Sequence, residues 1–221
     1  MPIRLIIFDF DGTLADTRDN IVRTIQAAMR QLGLPVADES ACADTIGLTL
    51  RDAFAQLYPD SPTDLPDRCV ETYREIFNRN KHLLIPAAFP HVHSTLCRLW
   101  QQGVVLTVAS SRAAASLHEF LGAMGLSDYI SCVFGADNVE HPKPHPAPVL
   151  QTLRETRFDA AETLVVGDMP VDILMGRNAG TLTCGVTYGN ATRERLQSSG
   201  AHFLIDDIAE LLTNDSLSIF T

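Results

Sequence analysis

Four short apolar runs punctuate the chain: Arg4–Asp9 (RLIIFD), Val104–Ser110 (VVLTVAS), Thr163–Asp168 (TLVVGD) and Leu182–Val186 (LTCGV). They are continuously apolar and rich in β-branched residues, the pattern of strands covered on both faces. Between them, apolar positions recur at helical spacing. Leu117, Phe120, Leu121 and Met124 precede Gly125, and Ile173, Leu174 and Ala179 precede Gly180, each glycine supplying a helix stop. His145-Pro146 opens a further helix through Leu153, with proline in the first turn, where its missing N–H costs nothing. The alternation predicts an α/β fold: a doubly wound parallel sheet with helices on both faces.

One region breaks the alternation. From Asp16 to Leu83 the periodicity is helical throughout, with Ile21, Ile25, Ala28, Met29 and Leu32, then Leu50, Phe54 and Leu57, then Val70, Tyr73 and Phe77. No strand pattern interrupts it. The expectation is an all-helical insertion over residues 16–83, joined at Ala15–Arg18 and Leu84-Ile85-Pro86, within a core made of residues 1–15 and 84–221. Neither internal repeats nor low-complexity stretches are present.

Charge narrows the partners. With 17 Lys+Arg against 27 Asp+Glu the net charge is -10. No basic run could neutralise a nucleic-acid backbone or an anionic membrane, while a small phosphorylated molecule stays within reach. The five cysteines, at 42, 69, 97, 132 and 184, are odd in number and follow no metal-ligand spacing, which argues against a disulfide framework or a zinc site. Met1-Pro2-Ile3-Arg4 leads into a strand pattern rather than a signal peptide, and no apolar run reaches the length of a membrane span, so a cytoplasmic location is expected. Oligomeric state leaves no signature.

The candidate chemistry sits at the strand ends, where open α/β sheets bind their ligands. The first strand ends in IIFDFDGTLADT, two carboxylates one residue apart, Asp9 and Asp11. Like charges so close resist joint ionisation unless a cation or hydrogen bonds intervene. The second ends in Ser110-Ser111-Arg112, donors suited to a phosphoryl group, although small hydroxyls there also serve as helix caps. The third ends in GDMPVD, with Asp168 at the strand tip and Asp172 in the first turn of a helix, a position that also suits an N-capping carboxylate. Between these lies HPKPHP at 141–146. Lys143, one of two lysines in the chain, is stiffened there by flanking prolines.

These motifs together resemble the haloacid dehalogenase superfamily of aspartate-dependent phosphohydrolases. The resemblance rests on DFDGTLAD at 9–16, the strand ending in Ser110, Lys143 in its Lys-Pro turn, and GDMPVD at 167–172, and it spans nearly the whole chain. It implies that Asp9 is the nucleophile, forming an aspartyl-phosphate, and that Asp11 protonates the leaving oxygen and then activates water. It further implies Mg²⁺ held by Asp9, the Asp11 backbone carbonyl and Asp168, with Asp172 close behind, Ser110 on a phosphoryl oxygen, and Lys143 keeping Asp9 ionised.

The insertion resembles the superfamily's helical cap. Within it, IGLTLR at 46–51 is similar to the substrate loop, making Gly47 and Arg51, together with Ser111 and Arg112, the expected substrate-binding residues. The nearest resemblance is to phosphoglycolate phosphatases, with VTYGNAT at 186–192 similar to their VxxG turn. The expected activity is Mg²⁺-dependent hydrolysis of a small phosphomonoester. A sugar-phosphate mutase and an inorganic pyrophosphatase or nucleotidase are the alternatives. A dehalogenase fits poorly because Asp11 is present, a phosphonate hydrolase would have to use Lys81, and a non-catalytic binding module fits poorly because every motif residue is intact. Met169, His141 and His145 depart from the pattern, with His145 expected at a helix start.

Overall fold

The computed structural model describes residues 2–213; Met1 and the end of the expected core, 214–221, lie outside it. In chain order the elements are β1 (Leu5–Phe8), β2 (Ala15–Asp16), α1 (Arg18–Gln31), α2 (Glu39–Ala43), α3 (Leu50–Leu57), α4 (Leu65–Asn80), β3 (Ala87–Ala88), α5 (Val92–Gln101), β4 (Val105–Ala109), α6 (Ala114–Ala123), β5 (Ile130–Phe134), α7 (Ala147–Thr156), β6 (Thr163–Gly167), α8 (Pro170–Asn178), β7 (Leu182–Val186), α9 (Arg193–Ser198) and β8 (Phe203–Ile205).

Six strands form one parallel sheet in the order β5-β4-β1-β6-β7-β8. The chain builds outward from β1 through β4 to β5, then crosses back to lay β6 on the other side of β1. That reversal makes the carboxyl ends of β1 and β6 the topological switch point of the sheet, where a ligand crevice forms. Side chains of β1 alternate between two cores. Ile6 and Phe8 pack with Leu96 and Leu99 of α5 and Leu117 and Phe120 of α6. Leu5 and Ile7 face the opposite layer, with Val149 of α7 and Met175 of α8. Each such side chain taken fully from water contributes roughly 1.5–3 kcal/mol, so the central strands are pinned in register from both faces.

Four of the six strands are those expected. The two edge strands, β5 and β8, lack the longer apolar runs of the others: β5 (ISCVF) is interrupted by an exposed Ser131, with Cys132 only partly covered, and β8 (FLI) is three residues long. Among the described residues each pairs on one side alone.

The four helices between β2 and β3 gather their own apolar cluster, with Val22, Ile25 and Met29 of α1, Phe54 of α3, and Cys69 and Tyr73 of α4 at its centre. Their starts are set locally. Asp38 accepts a hydrogen bond from the Ala41 amide, Thr49 accepts one from Asp52, and Pro66 occupies the first turn of α4. The segments that lead in and out pair with each other: β2 and β3 form a two-stranded antiparallel ladder, Ala15 opposite Ala88. Named side chains and backbone groups tie these helices back to the sheet domain. The Ser111 hydroxyl donates to the Gly47 carbonyl at 2.6 Å, Arg195 pairs with Asp44 at 2.7 Å, and Phe77 meets Phe120 edge-on with ring centroids 6.0 Å apart. No described helix is long and apolar enough to cross a membrane.

Candidate active site

Asp9 leaves β1 with its amide tied to the Val166 carbonyl of β6 at 2.8 Å, which fixes its carboxyl at the switch point. Asp168 follows β6 directly, and Asp172 lies one turn into α8, a helix opened by Pro170. The three carboxylates converge: each offers an oxygen within 4.8 Å of the others, and all three are buried. Lys143, also buried, reaches in from the loop before α7, its Nζ 2.5 Å from Asp9 Oδ1 and 2.6 Å from Asp172 Oδ1.

The second oxygen of Asp172 accepts the Met169 amide at 2.9 Å. Asp168 Oδ2 accepts both the backbone amide of Asn190, at 2.7 Å, and its side-chain amide, at 2.8 Å, while Oδ1 accepts from Thr13 at 3.3 Å. Two glycines make room for this carboxylate. A Cβ on Gly12 would lie 2.2 Å from Asp168 Oδ2, and one on Gly189 would lie 2.3 Å from its Cβ. The requirement of Gly12 for a positive φ, +93°, adds to the restriction.

Charge is not balanced at this point. Burial pushes Asp168 up to about 7, with the neighbouring Asp172 adding to it and the Asn190 hydrogen bonds opposing. Asp9 is driven well above the usual carboxylate range, chiefly by burial, which outweighs the pull of Lys143. The lysine itself moves up: burial works against its charge, but Asp172 and Asp9 more than compensate. Three carboxylates thus face one ammonium, and the site favours either an added proton or an added cation. Hard oxygen donors at this spacing suit a divalent cation of the Mg²⁺ or Ca²⁺ type. The residues present therefore fit a metal.

Asp11 lies outside that acidic group. Its carboxylate is gripped by Arg112, with Nη2 at 2.7 Å from Oδ1 and Nε at 3.1 and 3.2 Å from the two oxygens. The Asp11 side chain thus pairs with a guanidinium beside the three converging carboxylates, and Arg112, an expected substrate-binding residue, directs Nε and Nη2 to Asp11. Ser110 is buried at the end of β4 and its hydroxyl accepts the Arg112 amide at 3.3 Å. Ser111 donates to Gly47 instead of standing free for a phosphoryl oxygen.

Gly47 packs against the start of α8, since a Cβ there would touch Met169 and Val171 at 3.2 Å. Its carbonyl accepts from Ser111 just after β4, and Met169 just after β6 lies on its other side. Beside it a cleft of about 320 Å³ opens between Ile46 and Leu48 on one wall and Met169 and Val171 on the other. Arg51 is not brought to the site. It pairs with Asp67 at 2.9 Å on the exposed surface, because α3 turns that face outward toward α4. Lys81 likewise is spent on Glu119, at 2.7 Å. His141 and His145 lie against each other with ring centroids 4.5 Å apart, and His145 Nδ1 accepts the Ala147 amide at the start of α7.

Asn190 and Thr13 were not singled out from the sequence. The Gly-Asn pair just beyond β7 was the available signal, since only a glycine lets that turn press against Asp168.

A family model described as haloacid dehalogenase-like hydrolase matches residues 6–186. A Dickeya dadantii protein named "Probable phosphatase IndB" is 38% identical over 94% of this chain and 91% of its own. Pyrophosphatase PpaX of Anoxybacillus flavithermus is 32% identical over 96% of this chain and 97% of its own. The crystal structure of "a predicted phosphoglycolate phosphatase" from Haemophilus somnus superposes with a TM-score of 0.84 at 26% identity, covering 96% of this chain and 98% of that one. With the carboxylates, the lysine and the doubly wound sheet in place, and with a match that takes in most of the sequence, the chain belongs to the haloacid dehalogenase-like hydrolase family and stands among its phosphatases.

Proposed function

We infer that the protein is a Mg²⁺-dependent phosphomonoesterase acting on a small phosphorylated metabolite through an aspartyl-phosphate. The observation that carries this reading is the Asp9–Lys143 contact at the switch point, ringed by Asp168 and Asp172. A carboxylate attacking a phosphorus atom must be ionised, oriented and shielded from water. Lys143 holds Asp9 in place and offsets negative charge as the phosphorane-like transition state develops. Ser110, buried at the neighbouring strand tip, is the donor to a phosphoryl oxygen.

Asp9, Asp168 and the Asp11 backbone carbonyl would hold Mg²⁺, with Asp172 fixing the arrangement from behind through Lys143 and the Met169 amide. Bound there, the ion would supply charge neutralisation for the transferring phosphoryl group. Asp11 serves as the acid for the leaving oxygen and then as the base for water. The helices of residues 16–83 act as a cap whose Gly47 loop excludes water over Asp9, and the cleft beside Gly47 is where the leaving group is accommodated.

The phosphoglycolate phosphatase resemblance favours a small carboxylate-bearing ester, while the similarity to PpaX favours pyrophosphate as a second reading. The test is phosphate release by the purified protein from phosphoglycolate, pyrophosphate and a panel of sugar phosphates, with Mg²⁺ and with EDTA. Release that requires Mg²⁺ and vanishes in Asp9→Asn supports the reading. Isomerisation of a sugar phosphate without release, or full activity of the variant, overturns it.

A further inference from the structure

The Arg112 guanidinium is built into its position more elaborately than a surface cation would be. Its side chain is only 10% exposed, and the side chain of its partner Asp11 is 13% exposed. Phe10, Phe77 and Phe120 surround it, with their ring centroids 6.0, 5.5 and 5.1 Å from its central carbon. The third nitrogen, Nη1, donates to Ser116 Oγ at 3.3 Å. Every guanidinium nitrogen is therefore spoken for, and the planar fork meets both Asp11 oxygens, a geometry that lysine cannot copy.

One wall of this seat does not belong to the sheet domain. Phe77 comes from α4, and the crevice around Arg112 is completed by Thr17, Asn20, Ile21 and Tyr73 from the same helical unit. Phe10, from the loop after β1, stacks on Phe120 with centroids 6.3 Å apart, and Phe120 meets Phe77. The side chain that orients Asp11 is thus itself oriented by residues on both sides of the cap–core boundary.

We propose that Arg112 is a positioning residue for Asp11, setting where the acid–base carboxylate stands relative to the leaving oxygen, and that Phe77 makes this setting depend on the packed cap. The inference rests on the phosphatase reading above and names a role that Ser110 and Lys143 do not fill. In the step concerned, an Asp9 oxygen bonds to phosphorus as the bond from phosphorus to the leaving oxygen breaks. That oxygen keeps the electron pair and takes the Asp11 proton. In the second step water attacks the same phosphorus, its proton returns to Asp11, and the Asp9–phosphorus bond breaks with its electrons left on Asp9.

A misplaced acid is felt only by leaving groups that need protonation. The experiment compares kcat/KM for an alkyl phosphate and for 2,4-dinitrophenyl phosphate in the parent, Arg112→Met, Arg112→Lys, Phe77→Ala, Asp11→Asn and the Asp11→Asn/Arg112→Met pair, at saturating Mg²⁺. Because kcat/KM reports only events up to leaving-group departure, the second step does not blur it. Arg112→Met is expected to lower the alkyl value about 100-fold and the activated aryl value by no more than about three-fold, the scale of a catalytic group moved by an ångström. Arg112→Lys falls in between with the same selectivity, and serves as the decisive variant if the methionine protein does not fold. Phe77→Ala shows a smaller loss of the same kind.

In the Asp11→Asn background, Arg112→Met is expected to cost nothing further, since groups that act as a unit are non-additive. Equal losses for both leaving groups in Arg112→Met and Arg112→Lys would mean that Arg112 binds the phosphoryl group or only supports the fold. That result, or full additivity with Asp11→Asn, overturns the proposal. Turnover surviving Asp9→Asn would instead strike at the phosphatase reading and leaves a different signature, since it removes no leaving-group selectivity.

Discussion

Asn190 turns both of its amide groups onto a single oxygen of Asp168, the backbone N–H at 2.7 Å and the side-chain amide at 2.8 Å. The turn beyond β7 is held against the tip of β6, and the carboxylate keeps its other oxygen for the Thr13 hydroxyl. Two donors on one oxygen also favour the ionised form of a group that burial pushes toward neutrality.

Asn190→Ala should therefore weaken metal binding without abolishing the fold. Loss of a group that orients a ligand costs typically 10–100-fold in metal affinity or activity. The measurement is the Mg²⁺ concentration for half-maximal activity, checked by calorimetric titration. An unchanged Mg²⁺ dependence would mean that Asp168 is held well enough by Thr13 alone.

Lys143 carries a different kind of weight. Replacing it with methionine keeps the aliphatic stem but strands Asp9 and Asp172, both fully enclosed, without their cation. Removing one partner of a buried pair costs about 3–5 kcal/mol, because the other charge stays desolvated. Lys143→Met should lose that much in a urea titration and show no turnover, and acid should restore part of its stability by protonating Asp9, which burial already drives above the usual carboxylate range. A loss under about 1 kcal/mol would place the ammonium in far wetter surroundings than its 2% side-chain exposure describes.

The strands that build the switch point were legible because burial on both faces demands unbroken apolar runs; Asp9 and Asp168 stood out as charges placed against that demand, and Lys143 as one of two lysines, held between prolines. Asn190 and Arg112 were harder for a physical reason. Asn190 acts through a turn whose approach to Asp168 is set by tertiary packing. Arg112 sits beside two serines, where a phosphate ligand is the local expectation, yet Asp11 from the neighbouring strand tip arrives first. Arg51 shows the same limit in reverse: helical spacing places it on α3, but only the packing of α3 against α4 decides that it pairs with Asp67 at the surface.

The pH dependence of stability follows from Asp168. Its folded value, about 7, lies above the ordinary 3.8, so the folded protein binds the proton more tightly than the unfolded chain does. The sign is fixed by that order. Stabilisation from the protonated group is complete below about pH 4 and is lost as pH rises to about 7, each pH unit within that window being worth up to roughly 1.4 kcal/mol. Without metal, this site should therefore make the protein less stable across that window, and added Mg²⁺ should raise Tm more at pH 7.5 than at pH 5. Thermal melts at both pH values with Mg²⁺ and with EDTA measure it. Equal stabilisation at the two pH values would show that the ion does not compete with the Asp168 proton.

Gly12 and Gly33 provide a matched pair for the steric design of the site. Both have positive φ, +93° and +69°, and so both resist a side chain on conformational grounds alone. Around Gly33 nothing lies within 4 Å of where a Cβ would stand, and Gly33→Ala should cost only the backbone preference, about 1 kcal/mol. Around Gly12 the same methyl would fall 2.2 Å from Asp168 Oδ2 and 2.3 Å from Asn190 Nδ2. Neither neighbour is free to retreat, since each is held by the other and Asp168 is pressed from behind by Gly189. Gly12→Ala must then push the carboxylate out of line, adding about 1–3 kcal/mol of strain to the conformational cost and disrupting the acidic cluster. The expected outcome is a clearly larger loss of stability than in Gly33→Ala, together with loss of the Mg²⁺ response, which the Gly33 variant retains. If the two alanines behave alike in melts and in Mg²⁺ titration, the loop after β1 has room to move that this packing denies it.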